Sequence, residues 1–238
     1  MFPSIWLSPT TLNMVRDCPR CMWDHVLWKQ KRPSGPFPSL PRGIDDATKA
    51  YCDRYRPGLP PALKRISETV PELRDFTLHP DQRWINTLRD WKGGLIATIK
   101  IDTQVYKVSG SVDDLLINSD GAFAQLDEKS KAKSPEPGEG EKYYGNQMDT
   151  YDLIFKHNGF DVTGLSFLWY MIPTSMEDRD TSLPSLNAVF DTQVQVVKSS
   201  WERAMAQIQN VHEMLMKHPD RTKPPTSGNC DFCNFAGR

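Results

Sequence analysis

The sequence contains no run approaching ~20 consecutive apolar residues, and no basic segment followed by an apolar stretch at its N-terminus. Neither a membrane span nor a secretory leader is expected, and the reading is a soluble, cytoplasmic protein with no membrane partner. Strong net charge is also missing, because the 238 residues carry a formal charge of −1. A nucleic-acid ligand would therefore have to be held by a local basic surface rather than by the global field. Cysteine is scarce, five residues in all, which argues against a disulfide framework and for a metal site or buried thiols. No internal repeat stands out, and the five histidines share no spacing with the cysteines.

Proline is plentiful. Its 19 copies cluster in RPSGPFPSLPR, PGLPP, SPEPGEG and TKPPTSG, where a fixed φ and a missing N–H force extended loops between elements. With 38% apolar and 10% aromatic residues, the chain can bury one good core. A single domain over residues 1–238 is expected. It comprises an N-terminal helix and proline-rich loop (1–42), a core (43–218) and a C-terminal cysteine segment (219–238).

Local patterns sketch the elements. Ser8 and Pro9 open a helix as N-cap and first helical residue, with Leu12 and Val15 on one face, and Pro19 ends it. GIDDATKAYCDRYR is helical in character and places Asp45 near a helix start. LIATIKI, VYKVSGSVDDLLI and AFAQLDEKS read as a meander of three strands. A three-residue loop at positions 119–121 pairs Asn118 with Ala122, and hence Asp113 with Asp127 across the hairpin. Strand alternation puts Lys129 on the face of Asp127. Glu141 to His157 is a helix, followed by the strands GLSFLWYMI and LNAVFDTQVQVV. A final helix is capped by Ser199 with Glu202 and buries Trp201, Met205, Ile208, Val211 and Leu215.

Two carboxylates and an ammonium on one face suit phosphodiester hydrolysis. Hard divalent ions such as magnesium bind one or two carboxylates, and a lysine can orient water or stabilise charge on the phosphate. For any one of these residues a solvated strand end is the simpler reading. The order G-x-x-D, D-x-K and Q-x-x-x-Y along the chain is harder to obtain by chance.

GSVDDLL, LDEKS and QMDTY resemble motifs of the RecB-like branch of PD-(D/E)XK nucleases. The resemblance implies an α/β restriction-endonuclease-like core, with a central mixed sheet flanked by helices. It implies Mg2+ or Mn2+ held by Asp113, Asp127 and the backbone carbonyl of Glu128, with Lys129 as the catalytic lysine. Gln147 and Tyr151 take the family's roles of positioning DNA and organising the site, and their i, i+4 spacing independently puts them on one helix face. Many relatives carry a histidine in the upstream helix, where this chain has GIDD. Asp45 is then either an extra metal ligand or a helix-start charge interacting with the macrodipole. The implied function is a DNA nuclease, exonucleolytic or acting on single strands and ends. The rival is a catalytically silent nucleic-acid-binding or zinc-binding interaction module on the same fold, and protein partners are not readable.

CPRC at Cys18 and Cys21 is answered by CDFC at Cys230 and Cys233. Four thiolates suit tetrahedral zinc or an iron-sulfur cluster, and spacing does not choose between them. The resemblance extends to CRISPR-associated exonucleases and bacterial recombination nucleases that clasp their termini with a [4Fe-4S] cluster. Those use one N-terminal and three C-terminal cysteines, whereas here the division is two and two. The cluster is the first expectation and Zn2+ the alternative, with Cys52 a core thiol. Lys129, Lys131 and Lys133, and Arg16, Arg20, Lys29, Lys31 and Arg32, are candidates for following a phosphate backbone. Trp23, Trp28, Tyr143 and Tyr144 are candidates for stacking on bases.

Overall fold

The computed structural model describes residues 4–32, 39–90, 94–179, 185–220, 222–227 and 230–235. In chain order these form β1 (Ile5–Leu7), α1 (Pro9–Asp17), α2 (Pro19–Trp28), α3 (Ser39–Asp53), α4 (Pro61–Ser67), β2 (Phe76–Leu78) and α5 (Gln82–Arg89). They continue with β3 (Ile96–Ile101), β4 (Gln104–Ser109), β5 (Asp114–Asn118), β6 (Phe123–Ser130), α6 (Glu139–His157), β7 (Val162–Asp178), β8 (Leu186–Lys198), α7 (Trp201–Lys217) and α8 (Asp231–Phe235). No described helix is long and apolar enough to cross a membrane.

The larger sheet has the order β2-β5-β6-β7-β8, and the smaller one β1-β4-β3. In the larger sheet only β6 and β7 run parallel, joined by α6, while its other neighbours are antiparallel. The apolar run along β7 reflects burial on both faces. Phe167, Trp169 and Met171 enter one core with Leu63 of α4, Leu116 and Leu126. Leu168, Tyr170 and Ile172 enter the other with α1, α6 and α7. Helices on both faces of a mixed sheet make the architecture α/β, as the resemblance implied.

The expected three-strand meander is split. VYKVSGSVDDLLI is two strands in two sheets, because β4 pairs with β1 and β3 while β5 pairs with β2 and β6. The chain breaks at Gly110, where a Cβ would lie 2.8 Å from Tyr151 Cε1 of α6. Only a residue without a side chain lets the backbone pass the ring this closely. Two further expectations are corrected. The cap of α7 is Ser200, whose Oγ accepts from Arg203 N and donates to Glu202, while Ser199 turns inward to Ser166. Trp201 is 36% exposed rather than part of the core, because it stands at the first helical residue, beyond the packed stripe of Ile208, Val211 and Leu215.

Replacing Gly110 by alanine is expected to cost ~1–3 kcal/mol by overpacking against Tyr151. In a Tyr151→Leu background most of that extra loss disappears. Urea denaturation of the four proteins measures both. An equal loss in both backgrounds would remove the ring contact as the cause.

Candidate active site and cysteine centre

The β5–β6 hairpin closes through Asn118 N, which donates to Ala122 O at 3.1 Å. Asp114 faces Leu126 and Ile117 faces Phe123, so the same register continued by one residue sets Asp113 opposite Asp127. Both line a cleft of about 380 Å³ with Asp45, Glu128, Lys129, Gln147 and Tyr151. Asp113 Oδ2 accepts from Glu128 N at 3.0 Å, which ties the two strands at the cleft.

Asp127 is 2% exposed and stands on the α6 side of the sheet. Its Oδ1 accepts from Gln147 Nε2 at 2.9 Å, and its Oδ2 meets the Lys129 ammonium. Burial pushes the Asp127 carboxyl up to about 7, against the pull of Lys129. Gln147 also reaches Tyr151 Oη at 2.8 Å, and Tyr151 donates to Ser111 O at 2.6 Å. This chain of bonds fixes both the carboxylate and the loop that leads into Asp113. The Lys129 ammonium lies 4.7 Å from the Tyr144 ring centroid.

Asp45 lies in the second turn of α3, which begins at Ser39 rather than near the GIDD motif. A macrodipole role is thereby weakened, since that effect fades within the first turn. Asp45 and Asp113 instead share the Lys49 ammonium, at 2.7 Å and 2.8 Å. Burial works against the Lys49 charge, but Asp113 and Asp45 outweigh it and raise the group to about 12. Sequence reasoning passed over Lys49, although its i, i+4 spacing from Asp45 was a visible ion-pair signal.

The adjacent carboxylates Asp113 and Asp114 face different surroundings. Asp114 is fully buried, and its Oδ2 meets Arg56 and Arg89, the latter at 3.0 Å. Burial raises its carboxyl and the two guanidinium groups oppose that. Arg89 also donates to Asp113 O at 2.7 Å, anchoring the backbone of the cleft residue. Glu128 points to the face opposite Asp127, where Cys52 Sγ lies 3.8 Å from its Oε1. Burial and the charge of Asp113 push the Glu128 carboxyl up to about 9.

The four cysteines come together at the far ends of the described chain. Cys18 caps α2 in an extended conformation and Cys21 lies in its first turn. Cys18 Sγ is 3.7 Å from Cys233 Sγ, and Cys21 Sγ is 3.7 Å from Cys230 and 3.5 Å from Cys233. All four sulfurs lie within 4.8 Å of one another, and among the described residues this is the one such group of three or more ligands. Arg32 donates toward Cys230 at 3.7 Å and pairs with Asp17 at 3.2 Å.

Other candidates have structural partners. Arg20 pairs with Asp24, and Lys131 with Glu139. Trp23 is in the core, donating to His218 O at 2.9 Å, whereas Trp28 and Tyr143 are exposed.

The sequence profile of the PD-(D/E)XK nuclease superfamily matches residues 25–238. The match covers the cleft residues together with Cys230 and Cys233, and begins after CPRC. A solved structure described as the crystal structure of SSO0001 is 13% identical over 90% of this chain and 78% of its own, with a TM-score of 0.41. No curated protein matches.

The two neighbouring aspartates are expected to separate in a stability assay. Asp114→Ala strips the buried carboxylate from Arg56 and Arg89, leaving Asp53 as their remaining acidic partner, and should cost ~2–3 kcal/mol, below the ~3–5 kcal/mol of a fully unpaired buried charge. Asp113→Asn, at the partly exposed cleft, should cost less than ~1 kcal/mol. Chemical denaturation without added metal measures both, and similar losses would contradict the division.

Proposed function

The chain belongs to the PD-(D/E)XK nuclease superfamily, and from that we propose that it is a Mg2+- or Mn2+-dependent deoxyribonuclease of the RecB-like kind. Its substrate is DNA, single-stranded or entered from an end. The observation that carries the reading is the meeting of Asp113, Asp127, Lys129, Gln147 and Tyr151 in one cleft. These residues carry the D…D-x-K and Q-x-x-x-Y motifs of the sequence.

The donor set fits a hard divalent ion. Asp113, Asp127 and the Glu128 carbonyl are oxygen ligands, with Asp45 beside Asp113. Asp45 and Asp113 already hold one cation between them, the Lys49 ammonium. An ion held there would supply Lewis acidity at the phosphoryl oxygen and polarise an attacking water. Lys129 places a positive charge at the cleft wall, where negative charge grows on the phosphate. Gln147 holds Asp127 by its Oδ1, which fixes the direction its carboxylate faces. Tyr151 holds the Ser111 carbonyl and so the approach to Asp113.

For the cysteine centre, the sulfur spacing favours one zinc ion over the [4Fe-4S] cluster that the resemblance implied. Tetrahedral ligands at about 2.3 Å from a single ion stand roughly 3.8 Å apart, close to the 3.5–3.7 Å of three sulfur pairs, with all four sulfurs within 4.8 Å of one another. A cubane, with one iron per cysteine, needs its sulfurs opened around the whole cluster. Either group would tie the start of α2 to α8 and convert binding free energy into folding free energy.

Incubating the protein with end-labelled single- and double-stranded DNA, with Mg2+, Mn2+ or chelator, tests the reaction. Cleavage should need metal and fall roughly 10²–10³-fold in Lys129→Ala or Asp127→Asn, the loss typical of one electrostatic group in such a site. Variants of normal circular dichroism that cut at the wild-type rate would remove the assigned site. A wild type that binds DNA yet never cuts it would favour the silent module.

Elemental analysis after anaerobic purification should find about one zinc per chain. About four irons with visible absorption would restore the cluster. Cys18→Ser should lower the melting temperature in either case, and neither metal would sink the centre.

A further inference from the structure

Both cleft carboxylates are already in use by the chain's own groups. Asp127 has Gln147 on one oxygen and Lys129 on the other. Asp113 has Glu128 N on Oδ2 and Lys49 Nζ on Oδ1. An ion taking Asp113 Oδ1 would meet the Lys49 ammonium at close range, with only 19% of that side chain open to water to screen it. Lys49 is not merely near the site: it bridges two of its acidic groups, and one of these, Asp45, lies a single turn before it on α3.

We propose that Lys49 is a built-in counterion that holds Asp45 and Asp113 together without metal and must be displaced from Asp113 when a divalent ion binds. This rests on the reading of Asp113 as a metal ligand. The physical case is a balance of like and unlike charges. Without Lys49, Asp45 and Asp113 would face each other across a partly buried gap with nothing between them. With it, a divalent ion enters only by breaking an ion pair, while Asp45, on the same helix, remains a partner for the released ammonium. Four flexible carbons let the lysine make that move without shifting α3. Lys49 therefore lowers metal affinity and raises metal-free stability, so the cleft stays intact at low metal and loads only above a threshold concentration.

The test is Mn2+ titration of the full chain without DNA, read from the electron paramagnetic resonance signal of free Mn2+, paired with melting curves. Lys49→Gln should bind Mn2+ about tenfold more tightly than wild type, a change of about 1.4 kcal/mol. It should also melt lower without metal and gain more from Mn2+. Lys49→Arg, which keeps the charge, should not bind more tightly. Equal Mn2+ affinity in wild type and Lys49→Gln, with Asp113→Asn weakening both, overturns the counterion and leaves the metal site standing. Asp113→Asn binding Mn2+ as wild type does overturns the metal site itself, as does a wild type that binds none. If Lys49→Gln is unfolded without metal, folding on Mn2+ addition supports the proposal, and failure to fold overturns it.

Discussion

A three-residue loop between β5 and β6 sets Asn118 against Ala122, and the geometry of the cleft inherits that register. Side chains on a strand alternate faces, so a slip of one residue would carry Asp127 to the Cys52 side and bring Glu128 to the α6 side. Gln147 would then lose Asp127, and Lys129, on the same face of β6, would leave the cleft with it. The register is protected from both faces. Leu116, Ala124 and Leu126 are wholly buried on one side, while Gln125 binds Asp152 of α6 at 2.9 Å on the other. A hydrophobic face and a polar tie that agree leave a single pairing that satisfies both.

Acidic groups crowd this region, and the fold manages them in three ways. Asp114 is buried and matched by Arg56 and Arg89. Glu128 is buried beside Cys52, and burial pushes its carboxyl up. Asp113 and Asp127 stand at the cleft, each with one lysine. Only the third arrangement leaves carboxylates whose counter-charges are mobile, since a lysine stem can swing whereas two guanidinium groups bonded on several sides cannot. Burying the first two groups keeps repulsion at the cleft within what two ammoniums can balance.

The parts of this legible in the sequence were those governed by local rules. The loop at 119–121 fixed the cross-strand pair, and helical spacing put Gln147 and Tyr151 on one face. The β7 run announced a strand buried on both sides. What escaped depends on contacts between distant segments. Nothing local distinguishes a strand through Gly110 from a break there, because the cause is a tyrosine ring on α6. Ser199 and Ser200 are equivalent as caps until the inward pull of Ser166 is known. Arg56 and Arg89 lie in stretches without a motif, and their shared target is Asp114. Lys49 was half visible: its spacing from Asp45 is local, but its bond to Asp113 is not.

The cysteine centre joins residues 209 to 215 positions apart, and that separation has a meaning in time. At about 5–20 residues per second of synthesis, Cys18 and Cys21 exist for roughly 10–40 s before Cys230 and Cys233 are made. Throughout that interval the first pair is an open two-thiolate site, able to take a stray metal ion or to be oxidised. Arg32, close by in sequence, is made early and can attend those sulfurs. The four sulfurs can come together only once the sheet and its helices have been synthesised.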